Sequence, residues 1–119
     1  MSTYIDGFTI PVPKKKLAAY LRMARKMDPI WIEYGALGVH EYIADDVKVG
    51  KLTSFPRAVK LKKGETVIFS WILYKSRKQR DSINAKVMKD PRVAGMDMSS
   101  VPFDGKRMII GGFKSILNL

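Results

Sequence analysis

Ten residues from Glu65 to Tyr74 constrain this chain more than any others. Val67, Phe69, Trp71 and Leu73 alternate with Ile68, Ser70, Ile72 and Tyr74, so both faces of a strand built from them are mostly apolar. Such a strand must be covered on both sides. Helices can cover one face of the sheet that holds it, and something else must cover the other.

The flanking segments supply the rest of that sheet. Tyr4–Val12 reads as a first strand with Tyr4, Phe8 and Ile10 on one face and Asp6 among them. Pro11 and Pro13 are expected to end it, and Asp6-Gly7 suggests a bulge or a close backbone approach. Lys14–Tyr34 is helical, because Leu17, Tyr20, Ala24, Met27, Trp31 and Tyr34 recur at three- and four-residue spacing. Pro29 predicts a kink or restart, and Gly35 a left-handed cap. A second strand spans Leu37–Ala44. The connection Asp45–Lys63 holds a short helix over Ser54–Lys60, capped by Ser54. Ser76-Arg-Lys-Gln79 opens a second long helix that stops at Asp90-Pro91. An irregular loop, Arg92–Asp104, leads to a last strand over Met108–Leu117.

The order βαββαβ over a single domain, residues 1–119, predicts an α+β ferredoxin-like fold: an antiparallel sheet with helices on one face. Leaving several large side chains of the other face in water would forgo roughly 1.5–3 kcal/mol each, against a whole-domain stability of about 5–15 kcal/mol. The expected cover is a second copy of the chain, giving a homodimer through the sheet face, a dimeric α/β barrel.

The formal net charge is +11, from 22 Lys and Arg against 11 Asp and Glu. Such an excess favours polyanions in general, but a solvated basic surface is the preferred reading. The Lys/Arg-Gly-aromatic signature of RNA-recognition motifs is absent, so nucleic acid is a possible partner that is not favoured. The chain has no cysteine, which excludes disulfides and thiolate chemistry. No run is long enough to span a membrane, and the N-terminus lacks a signal-peptide layout, so a cytoplasmic location is expected.

Several blocks carry a family resemblance. Tyr4-Ile-Asp-Gly-Phe8, Val67-Ile-Phe-Ser-Trp71, Arg80-Asp-Ser-Ile-Asn-Ala-Lys-Val-Met88, Asp90-Pro-Arg92 and Pro102-Phe-Asp-Gly-Lys-Arg-Met108 follow in order over nearly the whole chain. This pattern resembles the YbaA-like bacterial proteins, domain-of-unknown-function family 1428. The resemblance implies the dimeric α/β-barrel superfamily, which also holds small monooxygenases and ligand-binding domains. It implies no activity.

Candidate site residues follow from chemistry. An aspartate on an apolar strand face is costly unless paired, which singles out Asp6. Arg80 and Asn84 lie one helical turn apart and could meet a ligand beside the sheet. A pocket between sheet and helices is expected to hold Asp6, Ser70, Trp71, Arg80 and Asn84, with Arg107 at its mouth. Asp104, Lys106 and Arg107 could bind a carboxylate or phosphate, or form a turn locked by an Asp–Arg pair that bridges to the second long helix. His40, the one histidine, is a further candidate, although Glu41 beside it points to the opposite face. No metal site and no cofactor are expected. The resulting expectation is a small aromatic or acidic metabolite as ligand, with catalysis left open. The alternatives are a polyanion binder and a non-catalytic structural dimer.

Overall fold

The apolar strand takes an inner place in the sheet. In the computed structural model, which describes residues 2–119, β1 (Tyr4–Pro13), β2 (Gly38–Ile43), β3 (Glu65–Tyr74) and β4 (Ile109–Lys114) form one antiparallel sheet in the order β2-β3-β1-β4. Helix α1 (Leu17–Glu33) joins β1 to β2, and α3 (Arg77–Lys89) leads from β3 towards β4. Each long helix therefore links two strands that flank a third, the split βαβ arrangement of ferredoxin-like folds. The one-turn helix α2 (Phe55–Ala58) lies between β2 and β3, and a second, α4 (Pro91–Ala94), follows α3.

Register decides which residues meet. β1 and β3 pair without a skip from Tyr4↔Tyr74 to Pro13↔Glu65, so there is no bulge at Gly7. Even-numbered residues of β1 and β3 face the long helices. Ile10, Val12 and Ile68 close on Tyr20 and Ala24 of α1 at one end of the sheet. At the other end, Ile72 and Tyr74 close on Ile30, Ile83 and Val87. β1 runs through Pro11 and ends at Pro13, one residue beyond the expected Val12. β4 pairs with β1 only as far as Thr9↔Ile109, so Pro11 and Pro13 have a ladder partner on one side alone, where a missing donor is tolerated.

The helices follow their sequence signals with one exception. Ser76 Oγ accepts from Gln79 N–H at 3.1 Å to start α3, and Ser54 Oγ accepts from Arg57 N–H at 3.1 Å to start α2. Gly35 adopts φ +117°, and beyond it Ala36 N–H donates to the Trp31 carbonyl at 2.9 Å, closing the end of α1. The exception is Pro29, through which α1 runs without a restart. Arg25 and Pro29 are both exposed, so water reaches the carbonyl that the proline leaves without a donor. Beyond α3, Tyr34 donates to Asp90 at 2.8 Å and Arg92 pairs with both Asp90 and Glu33, tying the end of α1 to α4. The loop expected after Arg92 carries α4's last residues and a 3-10 turn at Met98–Ser100, and β4 ends at Lys114.

The opposite face of the sheet is only partly covered. Odd-numbered residues of β1, β3 and β4, with the even-numbered ones of β2, point there. At one end the β2–β3 connection folds beneath the sheet. Phe55 of α2 meets Phe69 edge-on with ring centroids 5.6 Å apart, and Pro11, Val59 and Val67 are buried. The rest is open: Trp71 is stacked between Tyr42 (5.1 Å) and His40 (5.0 Å), while Phe69, Ile109 and Phe113 are exposed. The shortest dimension of the protomer, 20 Å, is that of one sheet with one layer of helices.

Candidate functional site

The face that β1 turns to the helices is apolar except at Asp6, which is 3 % exposed. A carboxylate in that position needs charge and donors to offset its lost hydration. Arg80, on the first turn of α3, supplies the charge at 2.5 Å from Asp6 Oδ1. Tyr74, directly across from Tyr4 in the β1–β3 register, donates its hydroxyl to Oδ2 at 3.0 Å. Asn84 Nδ2 donates to the same oxygen at 3.2 Å. The Asn84 amide has only one sensible orientation, because its Oδ1 accepts from the Trp31 indole N–H at 3.0 Å and an indole can only donate. Burial, followed by the Asp6 carboxylate, pushes the Tyr74 hydroxyl far above the ordinary phenol range, so it stays a donor. Among the described residues no buried side-chain nitrogen or oxygen lacks a partner, so this network is closed on itself.

A glycine makes room for it. Gly112 of β4 lies across from Asp6. A Cβ there would stand 2.7 Å from Arg80 Nη1 and closer still to the Tyr4 hydroxyl. The Arg80 guanidinium also sits over the Tyr4 ring, 4.9 Å from its centroid. On the outer side of Tyr4 and Gly112 opens a cleft of about 530 Å³. Arg77 and Lys114 give it positive charge, and Ser2, Thr3 and Ser76 line the rest. Ser76 and Arg77, at the start of α3, are thus part of its lining.

The other sequence candidates lie elsewhere. Ser70 shares the helix-facing side and is buried, paired with Phe8 one row from Asp6. Trp71 and His40 sit on the opposite face, because residues one apart on a strand alternate sides, so they cannot line a pocket with Asp6. Arg107 is not at the mouth of the Asp6 network. Its guanidinium grips Glu65 with two bonds of 2.8 and 2.6 Å, Asp104 at 2.8 Å and the Lys60 carbonyl at 3.0 Å. The Asp104–Arg107 pair thus bridges to β3 and the α2 connection, not to the second long helix. Lys106 N–H donates to Asp104 Oδ1 within the same turn. With all three guanidinium nitrogens engaged, Arg107 pins the β2–β3 connection under the sheet. This pairing holds the Glu65 carboxyl below its usual range.

A second polar group had no place among the sequence candidates. Tyr20 donates to Glu41 at 2.7 Å, and the Asp28 carboxyl is near enough to Glu41 to feel its charge. Residues 20, 24 and 28 form one row of α1, and Glu41 stands between Val39 and Ile43 on the helix-facing side of β2. Two acids on otherwise apolar rows were the available signal. Burial and the neighbouring Glu41 push the Asp28 carboxyl up to about 8. Between pH 3.8 and about 8 the folded chain therefore keeps a proton that the unfolded chain releases. That stabilisation is complete at low pH and is lost as pH rises through 8. The expected result is that Asp28→Asn gains stability over the parent chain between pH 5.5 and pH 8.5, by on the order of 1–2 kcal/mol after solvent screening. Urea midpoints at the two pH values check this, and identical pH dependence of the two chains would contradict it.

The chain is 50 % identical over 115 residues to the uncharacterized protein YbaA of Escherichia coli strain K12, covering 97 % of both chains, and equally so to YbaA of Shigella flexneri. Among solved structures it is similar to a dimeric ferredoxin-like protein from an uncultured marine organism, with a TM-score of 0.65, 10 % identity and full coverage of both chains. A NIPSNAP domain protein from Burkholderia xenovorans aligns with a TM-score of 0.57 and 16 % identity over 97 % of this chain and 94 % of that one. These likenesses concern the fold alone. The family profile described as protein of unknown function DUF1428 matches residues 3–105, and with the YbaA relatives this places the chain in that family.

Proposed function

We propose that the protein binds a small acidic metabolite in the cleft beside Tyr4 and Gly112, and that it does so as a homodimer joined through its open sheet face. The observation that carries the ligand reading is the cleft itself. It is about 530 Å³, within the range of small-molecule sites, and is lined by Arg77, Lys114 and the Ser76 hydroxyl at the start of a 13-residue helix. The buried Asp6–Arg80–Tyr74–Asn84 network forms the rigid wall that holds Tyr4 and Arg80 in position. A carboxylate placed there would gain charge-assisted bonds and the favourable end of the helix dipole. The site residues expected from the sequence thus divide into Asp6, Arg80 and Asn84 as supports of this cleft and the remainder as parts of other structures.

The dimer reading rests on the open face. Tyr42, Trp71, Phe69, Leu73, Ile109 and Phe113 point there, and none of the strand residues on that face is Lys or Arg. That composition suits an apolar cover and argues against a nucleic-acid role for this face, which would join aromatics to cations. The marine neighbour is itself a dimeric ferredoxin-like protein.

A thermal-shift panel of mono- and dicarboxylates tests the ligand reading. Saturating ligand is expected to raise the melting temperature by at least several degrees, and Arg77→Ala/Lys114→Ala is expected to remove that shift. A panel that leaves both chains unmoved would refute it.

A further inference from the structure

A second cleft, of about 490 Å³, is lined by α1 and the Met96–Pro102 segment. Its floor is apolar. Ala19, Met23 and Met27 form a row at four-residue spacing, and Met96, Val101 and Pro102 face it. Its rim is cationic: Lys16, Arg22 and Lys26 are exposed, and none of them takes part in an ion pair among the described residues. The rim has one acid, Asp97, against these three cations, so it stays net positive. Asp97 accepts from the Ser99 N–H at 3.0 Å and from its hydroxyl at 2.7 Å, and those bonds hold its carboxyl below the usual range. Ser100 donates to the Asp97 carbonyl within the same turn.

We infer that this cleft is a binding site for a free anionic amphiphile, an unbranched alkyl chain ending in a carboxylate, separate from the cleft at Tyr4. Each part of the ligand answers one part of the site. An aliphatic body suits a floor rich in methionine, whose unbranched side chains adjust to irregular apolar shapes. An acidic head suits three cations that have no other partner. A purely polar anion would leave the floor wet, and a neutral amphiphile would leave the charges unanswered. No aromatic side chain lines the cleft, so a nucleic-acid base would find no stacking surface. A concave site of this volume matches one small ligand better than the flat face of a bilayer.

The test is a titration of the full chain with decanoate below its micelle concentration, followed through methyl-labelled methionines. The Met23, Met27 and Met96 methyl signals are expected to move saturably, while Met88, on α3, stays in place. Arg22→Glu/Lys26→Glu, which changes two exposed side chains, is expected to weaken binding by about tenfold or more, with unchanged circular dichroism. Decanamide, with the tail but no charge, and acetate, with the charge but no tail, are both expected to leave the signals still. Binding of decanamide or acetate as strong as that of decanoate would overturn the assignment. So would decanoate that moves none of the three methyl groups. Capture of the protein by phosphatidylglycerol vesicles without any response to free decanoate would assign the surface to a membrane and overturn it too.

Discussion

Replacing Arg80 with methionine is expected to lower the unfolding free energy by about 3–5 kcal/mol. The change keeps most of the side chain's bulk and removes its charge, stranding Asp6 in a position only 3 % exposed with Tyr74 and Asn84 as its remaining donors. Most of the loss is the cost of an unpaired buried charge, not the strength of the pair itself. The double variant Asp6→Asn/Arg80→Met is therefore expected to recover much of it, since a neutral amide needs no counter-charge. Chemical denaturation of the parent, both single variants and the double variant gives the coupling. A loss below about 1 kcal/mol for Arg80→Met would mean an ordinary surface pair, and the network at Asp6 would no longer count as the wall of the cleft.

Trp71→Glu is expected to convert particles of twice the 13.5 kDa protomer mass into single protomers, as read by light scattering at micromolar concentration. Trp71 stands at the centre of the open face, stacked between Tyr42 and His40, where a carboxylate from each of two apposed sheets would be buried without a partner. Because Trp71 also contributes to the protomer's own stacking, Phe113→Glu provides an independent check. Phe113 is 61 % exposed on the edge strand and is remote from either apolar cluster behind the sheet. Both variants are expected to keep the parent's secondary structure. A parent chain that already runs as a single protomer would remove the dimer from the proposed function, and it would leave the ligand cleft untouched.

The ferredoxin-like order was readable because it depends on local signals. Ser54 and Ser76 cap helices where their spacing to the following residues says they should, and Gly35 takes the left-handed backbone expected at the end of α1. The two-sided apolar pattern of Glu65–Tyr74 requires an inner position, and β3 has one. Asp6 stood out for a chemical reason, since a charge on an apolar face must be answered. Arg80 and Asn84 stood out only as neighbours on one helix face able to meet a ligand, and their pairing with Asp6 itself came from the structure.

What the chain could not reveal by itself was register and crossing. Tyr74 joins Asp6 because β1 and β3 pair with Tyr4 opposite Tyr74, and Trp31 joins because α1 crosses the sheet where α3 does. Arg107 closes on Glu65 and the Lys60 carbonyl, more than forty residues away, so its role as a pin for the β2–β3 connection has no local trace. That connection covers one end of the second sheet face, which neither its capped short helix nor its composition signals. Periodicity and caps are properties of neighbouring residues, and the sequence by itself determined them. Which distant side chains share a buried space depends on strand alignment and helix crossing, and only the tertiary structure decided that.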